Sequence, residues 1–211
     1  MAPLASFSQA LFVESKDFFE IKYRVIAPPA SKKIAVLAFF SMEIAECAKL
    51  WAKMSDWSKS RADVELHFVH VSAGGMHSVS QRLFACLDTL NVGDKVFLAL
   101  ASEMSSGKHL ASKDDALAIA KRLGVDPVKL SGVWDSEAVS SRVRRYDRLT
   151  SSYRVRSAPS FGVSDRFFVP ARKDDILRVL DRAVEESKVP RKAFGDASGG
   201  QFISAPGVFR P

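Results

Sequence analysis

The hydrophobic pattern along the chain changes period several times, and each change marks an element. Residues 34–40 (IAVLAFF) are a continuous apolar run behind Ser31, Lys32 and Lys33. That length with polar flanks predicts a strand buried on both faces. Over residues 44–59 the spacing becomes helical, with Ile44, Cys47, Ala48, Trp51 and Met54 on one stripe. Residues 64–71 are strand-like again, and Gly74 and Gly75 break them. Val79, Leu83, Cys86, Leu87 and Leu90 form a second helical stripe, and a further helix is predicted over 94–104. After a turn at 105–107, Ser112 and Asp115 have the spacing of a cap and a first-turn acid. They lead into a helix over 116–123 that Gly124 ends. Asp126 followed by Pro127 predicts a short helix, since Pro suits the first helical position, and it runs to about Trp134. Residues 136–153 form a longer helix with Val139, Val143, Tyr146 and Leu149 inward. Residues 161–163 and 166–169 read as two short strands about a Ser164, Asp165 turn, and 174–187 as a closing helix.

The order is strand, helix, strand, a block of about five helices, then a hairpin and a helix. A parallel pair with a crossover helix, followed by an antiparallel hairpin and a helix, is the layout of thioredoxin. The expected class is therefore α/β, a thioredoxin fold with an all-helical insertion between its halves. The core is assigned to residues 31–72 and 153–188 and the insertion to 73–152. Residues 1–30 are expected to be an N-terminal extension. Residues 189–211, rich in Gly, Ser, Ala and Pro, are expected to be an extended tail.

Composition narrows the function classes. The chain has 211 residues, 47% hydrophobic and 26% charged, the balance of a globular protein with a substantial core. No apolar run approaches the roughly 18 residues of a membrane span. The first 20 residues lack a basic n-region and an apolar h-region, and are acidic where a mitochondrial transit peptide is Arg-rich. Cys47 and Cys86 are the only cysteines, too few for a disulfide framework or a zinc site, and they read as unpaired thiols. Unpaired thiols and a net charge of +7 favour a mitochondrial matrix or cytosolic setting over a bacterial periplasm. No cofactor or metal is implied.

Three stretches resemble the DsbA family of disulfide oxidoreductases. Residues 36–41 (VLAFFS) are similar to the family's first core strand, V-L-E-F-F-S. Residues 109–136 (HLASKDDALAIAKRLGVDPVKLSGVWDS) resemble its late insert helices, including the Trp near the end. Residues 153–169 (YRVRSAPSFGVSDRFFV) resemble Y-x-V-x-G-V-P-x-x-x-V-x-G-K-Y. The likeness spans roughly residues 17–188. Kappa-class glutathione transferases share the layout more weakly, and their Ser falls here at Ile44.

The resemblance places the family's C-P-H-C at Ile44, Ala45, Glu46 and Cys47. The first Cys of that motif is the attacking thiolate, activated at a helix N-terminus, and the second resolves the mixed disulfide. Ile44 has no nucleophile, and Cys47 alone cannot close an intramolecular disulfide. The family's buried Glu beneath the cysteine pair falls at Ala38. Loss of both features is the mark of a redox-inactive descendant. Ala158 and Pro159 match the family's Val–Pro, whose proline is cis and whose preceding residue offers its backbone to an extended peptide. Retention of Pro159 fits either a surviving peptide groove or a turn that the fold needs.

Three functions follow as expectations. The first is a redox-inactive interaction domain, a subunit of a larger assembly reaching protein partners through its tail and N-terminal extension. Phe194, Phe202, Ile203, Val208 and Phe209 are apolar anchors along that tail. The second is an oxidoreductase or transferase using Cys47 singly with glutathione or a partner thiol, which requires an exposed Cys47 of lowered pKa. The third is a peptide-binding, chaperone-like module at Ala158 and Pro159. Arg142, Arg145 and Arg148 fall near one face of the long helix, with Arg144, Arg154 and Arg156 nearby. They form a patch for an anionic partner, RNA or lipid, or a solvated helix face. His67 and His70, three apart in a predicted strand, point to opposite faces and share no metal.

Overall fold

The computed structural model of the protein describes residues 18–21, 32–72, 78–105, 110–171 and 175–189. Residues 190–211 of the expected tail, most of the expected N-terminal extension, and the Gly74, Gly75 break lie outside them.

The apolar run becomes β2 (Ile34–Phe40), in which every residue after Ile34 is buried. It leads through a four-residue loop into α1 (Ala45–Lys59) and then β3 (Val64–His70). Strand β3 pairs parallel with β2, from Ile34 opposite Val64 to Phe40 opposite His70. A block of five helices follows: α2 (Val79–Thr89), α3 (Gly93–Ser105), α4 (Lys113–Arg122), α5 (Pro127–Trp134) and α6 (Glu137–Ser152). The chain returns through β4 (Ser160–Val163), antiparallel to β2, and β5 (Phe167–Pro170), antiparallel to β4. Helix α7 (Ile176–Lys188) completes the described elements. This is the expected thioredoxin layout, with the helices inserted between β3 and β4.

Residues 18–21 lie inside the stretch expected as an extension. They form an edge strand that the pattern did not predict, β1 (Phe19–Glu20), antiparallel to β5. Phe18 and Ile21 on either side of it are buried, and Ile21 N–H donates to the Arg166 carbonyl at 2.6 Å. The sheet order is β1-β5-β4-β2-β3.

Local chemistry sets the helix ends. Ser112 and Asp115 form a reciprocal capping box at the start of α4. Gly124 follows α4 at φ +80°, a conformation that costs glycine little. Asp126 caps α5 through the Val128 and Lys129 N–H groups, with Pro127 at the first helical position. Ser136 caps α6 through the Val139 N–H.

Two hydrophobic cores form. One holds Leu37, Phe39 and Phe40 against Trp51 and the insertion helices. The other holds Val36, Ala38 and β4 against Met54, Trp57 and α7. Trp51 stacks between Phe68 and Phe97, with ring centroids at 3.5 and 3.7 Å, and Phe40 meets Trp51, Phe84 and Phe97 edge-on. Such pairs add about 0.5–1.5 kcal/mol each beyond area burial. No helix among the described residues is long and apolar enough to cross a membrane.

Candidate functional site

The loop from Ser41 to Ile44 leaves the C-terminal end of β2 and enters α1. Ile44 occupies the N-cap position with extended backbone and offers no side-chain cap. Its carbonyl accepts from the Cys47 N–H at 3.0 Å, and its own N–H donates to the Ser41 carbonyl at 3.3 Å. Ile44 is partly buried and packs on the insertion-side core. Glu46 is exposed in the first helical turn.

Cys47 is three residues past the cap and only 2% exposed. Its Sγ accepts from the Ser41 N–H at 3.4 Å. Burial pushes the thiol up to about 11, the Ser41 N–H opposes this, and the Glu46 carboxylate adds to it. Desolvation thus outweighs the helix N-terminus, which by itself favours the thiolate. The monothiol expectation needed an exposed Cys47 of lowered pKa, and the geometry is the reverse on both counts. Cys86 is fully buried, and burial pushes it up to about 12.

Beneath this loop lies a residue that sequence patterning treated only as a rejected metal ligand. His70, at the end of β3, is fully buried. Its Nε2 accepts from the Met42 N–H at 3.3 Å, so the neutral ring carries its proton on Nδ1. That Nδ1 has no hydrogen-bond partner among the described residues. The ring lies between Phe40 and Phe84, and burial depresses its pKa to about 3. Glu43 continues the tie to the insertion, accepting from Ser80 Oγ at 3.0 Å. Gln81 Nε2 donates to the His70 carbonyl and to Asp147 on α6. The parallel register foretells part of this, because it sets His70 opposite Phe40 where the loop begins. His67 points to the other face and shares no site with His70. His77 and His109 lie outside the described residues. Among the described residues, no group of three or more His, Cys, Asp or Glu is arranged to hold a metal.

The peptide bond between Ala158 and Pro159 is cis. Ala158 is partly buried and packs against the same core as Ile44. Ala38 is buried in the opposite core, paired with Phe161 of β4.

The arginines divide. Arg142 pairs with Asp88 of α2, and Arg144 with Glu137. Arg142 and Arg145 line a groove beside β3, whereas Arg148 is exposed outside that lining.

Comparison with known proteins agrees with the fold. Residues 13–179 match the family model described as a DSBA-like thioredoxin domain. The chain belongs to the DsbA-like thioredoxin-domain family. It is 31% identical over 180 residues to the thiol:disulfide interchange protein DsbA of Bordetella parapertussis, covering 79% of this chain and 85% of that one. It is 25% identical over 186 residues to the DsbA of Pseudomonas syringae pv. tomato, covering 84% and 86%. Among solved structures, the DsbA of Pseudomonas aeruginosa superposes with a TM-score of 0.75 at 21% identity, covering 82% of this chain and 92% of that one. The oxidoreductase DsbA from Xylella fastidiosa gives 0.73 at 22%, covering 82% and 95%. At those identities the structural likeness speaks for the DsbA fold alone.

Proposed function

We propose that this DsbA-like chain is redox-inactive and serves as a protein-interaction subunit of a larger assembly. The observation that carries the reading is the pairing of Ile44, at the helix N-cap, with a buried Cys47 whose thiol is pushed up to about 11. Thiol–disulfide exchange needs a thiolate that can reach its target. Ile44 supplies none, and Cys47 is protonated at neutral pH and covered by the loop. Cys86 is no substitute, being equally buried and protonated. A fold kept with its thiol chemistry disarmed is then kept for its surfaces. The apolar anchors from Phe194 to Phe209 are the expected reach toward protein partners.

The test measures two rates on the full chain. In a dithiothreitol-driven insulin-reduction assay, turnover stays at the rate of the reductant alone. Under iodoacetamide, Cys47 is modified in the native protein far more slowly than in urea. Insulin reduction at the pace of an active thiol oxidoreductase, or native alkylation as fast as in urea, overturns the reading.

A further inference from the structure

Strand β3 is an edge of the sheet, and among the described residues its outer side has an open stretch. Within a strand, successive residues direct their N–H and C=O groups to opposite sides. The Val71 N–H donates inward to the Phe40 carbonyl, while the His70 carbonyl accepts outward from Gln81. At the other end, the Val64 N–H donates outward to the Arg61 carbonyl. Between these capped ends, Leu66 and Phe68 direct two N–H groups and two carbonyls away from the sheet. Both residues are only partly buried and line a groove of about 480 Å³.

The two walls of the groove differ in chemistry. On one, the Phe68 ring stacks on Trp51 of α1, an apolar surface. On the other, His67 lies 3.5 Å from the Glu65 carboxylate and within electrostatic reach of Arg145 of α6. Lys59, Arg142 and Arg145 line the groove against a single carboxylate, Asp88, and Asp88 is already paired with Arg142. Among the described residues no carboxylate is paired with Arg145. An open strand edge with an apolar wall and a cationic wall fits an added strand of alternating character.

We propose that the outer edge of β3 binds an extended peptide segment of a partner protein as an additional strand, with apolar side chains toward Leu66 and Phe68 and an acidic side chain toward Arg145. The site is separate from Ala158 and Pro159 and does not depend on whether thiol chemistry is lost. Main-chain pairing with Leu66 and Phe68 supplies the affinity, and the alternating side chains supply the selectivity.

The probe is the capped pentapeptide acetyl-Val-Glu-Val-Thr-Val-amide, titrated into the full chain and followed by NMR amide exchange. Binding slows exchange at Leu66 and Phe68. R145E weakens binding about tenfold, and a probe with Lys in place of Glu recovers it in that variant. N-methylation of the probe at its pairing amides abolishes binding. Four results overturn the proposal. They are no change at Leu66 and Phe68 at millimolar peptide, equal binding by the N-methylated probe, protection confined to the Ala158 region, and protection of both amides before peptide is added. The last result would mean that another part of the same chain already covers the edge.

Discussion

A buried histidine with one nitrogen bound and the other in an apolar enclosure makes an acid-sensitive point under the loop. The His70 ring is held neutral by burial, its pKa falling from the usual 6.5 to about 3. An unfolded chain takes up this proton below about pH 6.5, and the folded chain does not until about pH 3. The unfolded state therefore binds more protons in that window, and stability is lost as pH falls through it. Between pH 7 and pH 5 this one group removes about 2 kcal/mol of folding free energy. His70→Gln keeps an acceptor near the Met42 N–H but does not titrate. Urea denaturation at the two pH values should show a smaller acid loss in H70Q than in the parent, by about that amount. Parallel pH dependences in the two proteins would remove His70 from the account. His67 is depressed by burial as well, which is why the comparison is made between variant and parent. At this scale the sequence was partly legible. The helical stripe through Cys47 and Trp51 already turned the thiol inward. The His70 to Met42 hydrogen bond was not legible, because it joins residues 28 positions apart through a loop whose path no local pattern encodes.

Elements were legible where chemistry is local. Ser112 and Asp115 announce the start of α4, and the structure has the full reciprocal box, with Ser112 Oγ accepting from the Asp115 N–H at 3.2 Å and Asp115 accepting from the Ser112 N–H at 2.9 Å. Ser112→Ala removes one acceptor from an exposed helix start and should cost about 1 kcal/mol in denaturant unfolding, with no change in m-value. An unchanged midpoint would show that α4 does not draw on this cap. The hairpin was equally local: Ser164 and Asp165 both sit at φ +52° at the centre of a turn closed by the Arg166 N–H donating to the Val163 carbonyl at 3.0 Å, with Val163 paired to Phe167 across the three-residue loop. Strand β1 was not legible. It has two residues, its partner β5 lies about 150 positions away, and its own two side chains are exposed. Only Phe18 and Ile21 beside it are buried, and two apolar residues flanking two exposed ones carry too little periodicity to announce a strand.

Whether the insertion is a separate body or part of one cooperative unit is decided by α1. Its sequence stripe predicted an inward face but not that this face serves two cores. Trp51 enters the core shared with α2, α3 and α6, while Met54 and Trp57, within two turns, enter the core shared with α7. Trp57 Nε1 also donates to Asp181 of α7 at 2.9 Å. Strand β2 divides its side chains the same way, Leu37 and Phe39 to one core and Val36 and Ala38 to the other. A cavity opened on the α7 side should therefore loosen the helical insertion as much as the sheet. Met54 is 1% exposed, and M54A should cost about 2–5 kcal/mol. In native-state hydrogen exchange the slowest amides of the insertion, such as Leu87 and Val143, should speed up by the same factor as Val36 in β2. If the insertion amides keep their parent rates while Val36 accelerates, the two cores unfold independently, and α1 is a boundary between them rather than the element that joins them.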